Sequence, residues 1–69
     1  MVAQNEHPLR TWRISQRFKL RQVAADAGIS IPLLSDIENW KRMPSARTAR
    51  KLADCTKLPL EEILCERPR

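Results

Sequence analysis

The side chains that could do chemistry in this sequence are mostly cations. Thirteen lysines and arginines stand against eight aspartates and glutamates, which gives a formal charge of +5. This excess favours a polyanionic partner, either a nucleic acid or, less often, an anionic membrane surface. The residues predicted to contact phosphate groups are Lys19, Arg21, Asn39, Lys41, Arg42 and Arg47, and the alternative for each cation is a solvated surface charge.

The remaining polar residues do not form a catalytic or metal-binding pattern. The one histidine, His7, has no cysteine or carboxylate at a useful spacing and is expected to lie outside the core. Cys55 and Cys65 are ten residues apart, which is not a metal-ligand spacing, and no glycine-rich phosphate loop is present. We therefore expect no enzyme activity, no metal and no cofactor, and we interpret both cysteines as reduced packing residues.

The length predicts one domain spanning residues 1–69, with loose ends at about 1–5 and 66–69. A chain this short buries only about 60% of its unfolded surface, so pairing with a second copy would add stability. No apolar run is long enough to span a membrane, and no segment has the pattern of a secretion signal. These features favour a cytoplasmic protein.

Helix-forming residues dominate the elements that must position the cations. Helix 1 is expected to start between Asn5 and Pro8, with Leu9, Trp12 and Gln16 on one face. The other predicted helices are about Leu20 to Ala27, Ile31 to about Asn39, about Ala46 to Thr56, and a short helix opened by Pro59. The predicted inward residues of the second to fourth helices are Val23, Ala24, Ala27, Leu34, Ile37, Ala49, Leu52, Ala53 and Cys55, and the apolar face of the short helix is formed by Leu60, Ile63 and Leu64.

The stretch from Val23 to Asn39 predicts a helix-turn-helix unit. Gly28 can adopt the left-handed angle that ends a helix, and Ser30 is a good N-cap for the next one. Ala24 is small enough for the two helices to pack closely. The first helix would then brace the second, whose outer face fits a DNA major groove about 12 Å wide.

The sequence VAADAGISIPLLSDIEN resembles the phage-repressor, or XRE, family of helix-turn-helix proteins, and the similarity covers roughly Leu9 to Leu64. The resemblance implies an all-α, compact five-helix lambda-repressor-like domain of bacterial or phage origin. It also implies that Arg13 pairs with Glu38 and braces helix 1 against the end of helix 3; the alternative for Arg13 is a solvated charge.

This chain departs from the family pattern at several positions. Arg17, Trp40 and Lys57 stand where the family often has glycine, and such positions commonly need a left-handed backbone. We expect that Asn39 could take this conformation in place of Trp40. Leu20 replaces a glutamine that often binds a phosphate group, so Lys19 or Arg21 is expected to substitute.

The position of the motif predicts which residues face the bases: Ser30, Ile31, Pro32, Leu33, Ser35 and Asp36. This set lacks the arginine, glutamine and asparagine side chains that make bidentate base contacts. The three apolar residues can touch thymine methyl groups; the alternative for Leu33 is partial packing against helix 2. DNA shape, or a flexible arm carrying Gln4, Asn5 and His7, could add specificity; plain disorder is the alternative for the arm.

Leu58, Leu60, Ile63 and Leu64, with the adjacent Cys65, predict a homodimer interface, unless these residues all pack within the monomer. We therefore expect a sequence-specific regulator of transcription, with a repressor favoured, whose partner is double-stranded DNA. One alternative is an antitoxin or adapter that uses the same fold to hold a protein. The other is a nucleoid-type or RNA-binding protein with little sequence preference.

Overall fold

The structure, a computed structural model, describes residues 6–65. Its helices are α1 (Pro8–Ser15), α2 (Leu20–Ala27), α3 (Ile31–Glu38), α4 (Ala46–Thr56) and α5 (Leu60–Ile63), and no strand occurs among the described residues. The all-α, five-helix architecture predicted from the sequence is confirmed. The ends predicted to be loose, 1–5 and 66–69, lie outside the described residues.

Side-chain caps fix where the helices begin. The Ser30 hydroxyl accepts a hydrogen bond from the Leu33 N–H at 3.2 Å, and the Ser45 hydroxyl accepts one from the Thr48 N–H at 3.2 Å. These bonds satisfy first-turn donors that have no partner within the helix. The caps explain why α3 and α4 start where the sequence predicted.

Left-handed residues end the first four helices. Gly28 ends α2 with a φ of 71°, and a Cβ at this position would meet nothing within 4 Å, so the backbone angle and not crowding favours glycine. Arg17, Trp40 and Lys57 also have positive φ angles, of 61°, 63° and 64°. The left-handed turns expected at these three positions are therefore present, without glycine.

The alternative that Asn39 replaces Trp40 as the left-handed residue is wrong. Asn39 has a φ of −99°, and Trp40 forms the turn. The Trp40 N–H bonds the Ile37 carbonyl and the Lys41 N–H bonds the Asp36 carbonyl, which is the Schellman arrangement that closes a helix. Two carbonyls at the end of α3 are satisfied in this way.

The core lies where α2 packs against α3 and α4, while α1 and α5 pack against each other and close the remaining side. The buried apolar residues are Leu9, Val23, Ala24, Ala27, Leu34, Ile37, Ala49, Leu52 and Ile63. Trp12, Ala53 and Cys55 pack against this cluster while staying partly exposed. The expectation that Gln16 shares one face of α1 with Leu9 and Trp12 is wrong, because α1 ends at Ser15 and Gln16 is exposed.

The C-terminal leucines divide between the core and the surface. Ile63 is fully buried within the monomer, so its assignment to a dimer interface is wrong. α5 has only four residues, and Ile63 is the one that it buries in the core beside α1 and α4. Leu58 and Leu64 are partly buried against the core, and Leu60 is 38% exposed. Among the described helices, none is long and apolar enough to cross a membrane.

Candidate nucleic-acid interface

The two faces of α3 have different surroundings. Leu34 and Ile37 are fully buried on the inner face, where they hold the helix against the core. On the other side Ile31 is 47% exposed, and Ser30 and Pro32 are exposed as well. The rest of the predicted base-contacting set, Leu33, Ser35 and Asp36, is partly exposed. The predicted face is therefore accessible from outside the domain.

A bidentate ion pair fixes the C-terminal end of α3. Arg13 on α1 donates from Nε to Glu38 Oε2 at 2.9 Å and from Nη2 to Glu38 Oε1 at 3.0 Å. Its Nη1 also donates to the Phe18 carbonyl at 3.0 Å, which ties in the turn between α1 and α2. The Glu38 side chain is almost wholly buried. The pair implied by the family resemblance is thus present and braces α3 from behind.

The polar side chains of the outer face already have partners within the chain. The Asn39 amide donates to the Ser35 carbonyl at 2.9 Å and to its hydroxyl at 3.4 Å. Asp36 Oδ2 lies 3.9 Å from Arg42 Nε in an exposed ion pair. A contact from Asn39 to a phosphate group, which the sequence predicted, would have to replace the bond to Ser35.

The predicted phosphate-contacting cations surround the ends of the helix-turn-helix unit. Lys19 and Arg21 flank the start of α2, Lys41 and Arg42 follow α3, and Arg47 lies in the first turn of α4. All five side chains are exposed. They are therefore free to reach a polyanion docked against α3, apart from the weak pairing of Arg42 with Asp36.

The position of His7 was not anticipated. It is only 2% exposed, and its Nδ1 accepts a hydrogen bond from the Leu9 N–H at 3.0 Å, so it is the N-cap of α1. The interpretation of His7 as part of a flexible arm outside the core is therefore wrong. The other arm residues, Gln4 and Asn5, lie outside the described residues.

His7 also contacts the segment that follows α3. Its ring packs against the Trp40 ring, with the centroids 4.6 Å apart, and it forms a hydrogen bond with the Ile63 backbone. Burial lowers the pKa of the His7 imidazole, and the bond to Ile63 opposes that shift. The one feature of the sequence that pointed to this contact was Trp40, which stands where the XRE family often has glycine.

The two cysteines are free thiols in the structure. Burial raises the pKa of Cys55, and the nearby Asp26 carboxylate raises it further; burial also raises the pKa of Cys65. The reactive thiolate form is disfavoured at both residues. Within residues 6–65, no group of three or more histidine, cysteine, aspartate or glutamate residues is arranged to hold a metal ion.

Comparisons with known proteins agree with this geometry. A family model for helix-turn-helix proteins matches residues 9–63. The HTH-type transcriptional repressor RghR of Bacillus subtilis (strain 168) is 37% identical over 57 residues, which cover 81% of this chain and 42% of that protein. The chain thus spans less than half of that relative's length, and no solved structure matches significantly. The chain belongs to the XRE family of helix-turn-helix proteins, whose members are DNA-binding regulators of transcription.

Proposed function

We propose that this chain represses transcription by binding duplex DNA in a sequence-specific manner, with α3 in the major groove. The observation that carries the proposal is the arrangement of α3: its inner face is fixed by the core and by the Arg13–Glu38 pair, while its outer face is exposed. A rigid helix with one free face fits the major groove, which is about 12 Å wide. The name of the RghR repressor supports the direction of regulation.

Cations on both sides of α3 would hold the two phosphate backbones. Lys19 and Arg21 would contact one strand from the start of α2, and Lys41 and Arg42 would contact phosphates from the segment after α3. Arg47 lies in the first turn of α4, where a cation is unfavourable by some tenths of a kcal/mol until an anion docks. Asn39 would join this set after releasing Ser35. Each contact positions the protein without reading sequence.

A homodimer would place two copies of α3 about 34 Å apart, one DNA turn, on a near-palindromic site. Leu60, with the exposed edges of Leu58 and Leu64, would form the contact between copies. Sedimentation at high micromolar concentration should show a dimer, and a Leu60→Glu variant should sediment as a monomer.

We also propose that residues 1–69 act as one non-enzymatic domain in the cytoplasm, on nucleoid DNA.

Selection of bound duplexes from a random pool tests specificity and half-site spacing together. The salt dependence of binding then counts phosphate contacts. Five contacts in each subunit give a slope of log K against log salt of about −4.5, or about −9 for a dimer. Replacing Arg42 with glutamine should make the slope per subunit shallower by about 0.9, whereas Arg50→Gln, at an exposed cation outside the proposed set, should leave it unchanged.

The same experiments separate the proposal from its rivals. A dimer slope near −2 would overturn the assignment of the phosphate contacts. Equal affinity for selected and random duplexes would favour a low-specificity nucleic-acid binder. Co-purification of a stoichiometric protein, together with no salt-sensitive DNA shift, would favour an antitoxin or adapter.

A further inference from the structure

Three consecutive apolar residues form the start of the DNA-facing side of α3. Ile31 and Pro32 are exposed, and Leu33 is partly exposed while it packs against the core. Single exposed aliphatic residues are common on protein surfaces, but contiguous ones mark contact sites more often. An inference about what this group contacts rests on the proposed function, because it assumes that α3 enters the major groove.

The polar residues beside this apolar group carry little information about base sequence. Serine hydroxyls contact several bases and discriminate poorly among them. The Ser30 hydroxyl already caps α3 by accepting from the Leu33 N–H. Asp36, the remaining polar side chain of the predicted set, is a carboxylate, which the negatively charged DNA backbone repels. Discrimination between bases is therefore left mainly to apolar contacts.

The major groove offers one apolar group to such a surface, the C5-methyl group of thymine. A cytosine methylated at C5 carries a methyl group on the same ring carbon and in the same groove. We propose that α3 reads its site chiefly through C5-methyl groups, with Ile31 as the main contact. Methylation of cytosine within the site would then change the affinity directly, which makes the DNA methylation state a regulator of binding.

The expected size of the effect follows from burial of one methyl group. The transfer value for one buried CH₂ or CH₃ group corresponds to about a fourfold change in the dissociation constant. Two methyl groups contacted in the same half-site would give about sixteenfold if their effects are independent. Deoxyuridine in place of thymidine removes only the methyl group, so it measures this effect without altering base pairing.

The experiment uses the duplex obtained by selection, with each thymidine under α3 replaced in turn by deoxyuridine. Binding is measured for the native chain, for Ile31→Ala, and for Ile14→Ala as the matched control. Ile31 and Ile14 are 47% and 50% exposed, so neither substitution removes a core contact. We expect about a fourfold loss on deoxyuridine substitution at one or more positions, no such loss with Ile31→Ala, and the full loss with Ile14→Ala. A cytosine placed at a sensitive position should bind more tightly when methylated at C5.

The outcomes separate the inference from the function on which it rests. If a selected duplex binds well and every deoxyuridine duplex binds equally well, methyl reading is wrong and the proposed function stands. A loss that persists unchanged in Ile31→Ala would overturn the role of Ile31. If no duplex is preferred over random DNA, the proposed function fails, and methyl reading fails with it.

Discussion

The inner and outer faces of α3 differ in how far their residues are buried and in the contacts that those residues make. Leu34 and Ile37 on the inner face are fully buried, and Glu38 is held by a bidentate arginine. Ile31 and Pro32 at the outer face have no comparable cover within the described residues. The inner face fixes the position of the helix, while the outer face keeps the apolar area that a binding partner would cover. Substitutions on the inner face should therefore mainly lower the free energy of unfolding, whereas substitutions on the outer face should mainly weaken binding to the partner.

The largest expected effect comes from removing the Arg13–Glu38 ion pair, which holds the C-terminal end of α3. Arg13→Ala leaves the Glu38 carboxylate buried without its partner, which costs about 3–5 kcal/mol and would unfold much of a domain this small. Thermal unfolding followed by circular dichroism measures the loss. Arg10→Ala, at an exposed arginine on the same helix, is the control and should change stability by less than about 0.5 kcal/mol. Equal effects of the two substitutions would show that the pair does not brace the helix.

A second comparison uses neighbouring leucines on the two faces. Leu34→Ala should lower the free energy of unfolding by about 2–5 kcal/mol, because Leu34 is fully buried. Leu33→Ala should cost about 1 kcal/mol, since Leu33 is only partly buried and loses less transfer free energy. Urea denaturation gives both values. A larger cost at Leu33 than at Leu34 would mean that the two faces are assigned in reverse.

A smaller effect should appear at Trp40, in the turn that follows α3. Both Trp40→Ala and Trp40→Gly remove the ring that packs on His7, but only glycine relieves the left-handed backbone. Trp40→Gly should therefore be more stable than Trp40→Ala by about 1 kcal/mol. At Ala25, an exposed helical position of α2, the order should reverse, so that Ala25→Gly costs about 1 kcal/mol. The same order at both positions would contradict the backbone assignment.

The smallest expected effect is a pH dependence from His7. Its pKa is lowered in the folded chain, so the unfolded chain binds the proton more readily. Its contribution to stability is complete above the unfolded pKa of about 6.5 and is lost as the pH falls below that value toward the folded pKa. Urea midpoints at pH 8 and pH 5.5 should show this loss.

The matched variant for this test is His7→Asn, which keeps a side-chain acceptor for the N-cap of α1 but does not titrate. His7 is the sole histidine in the sequence, so no other imidazole titrates in this interval. The variant should be less stable at pH 8, because it loses the ring against Trp40, but its stability should vary less with pH. Parallel pH curves for the two proteins would exclude His7 as the source.

The sequence predicted best those features that are set by a few neighbouring residues. The end of α2 and the starts of α3 and α4 matched because Gly28, Ser30 and Ser45 act within one turn of their own positions. The left-handed turns at Arg17 and Lys57 were expected from the resemblance, because the family often has glycine at these positions. Family resemblance was needed for the Arg13–Glu38 pair, because 25 residues separate its members and no local pattern joins them.

Two of the failures, at Trp40 and His7, depend on contacts between distant segments. Asn39 has the better intrinsic tendency toward a left-handed backbone, yet Trp40 takes it with its ring packed on His7, and Asn39 bonds Ser35 instead. His7 is buried because it meets both Trp40 and the Ile63 backbone, which lie 33 and 56 residues further along the chain. Ile63 was predicted to lie in a dimer interface because a four-residue helix gives no periodicity that separates an inward from an outward residue.

The isoleucine methyl groups give the most direct test of how α3 meets DNA. The sequence contains five isoleucines, of which Ile31 lies on the outer face of α3 and Ile14, equally exposed, lies on α1. Methyl NMR of the chain bound to its selected duplex should show a large shift of the Ile31 methyl signals and nuclear Overhauser contacts from them to DNA protons in the major groove. The Ile14 signals should change little. Ile31 signals that stay in place while those of Ile14 shift would contradict a reading role for α3.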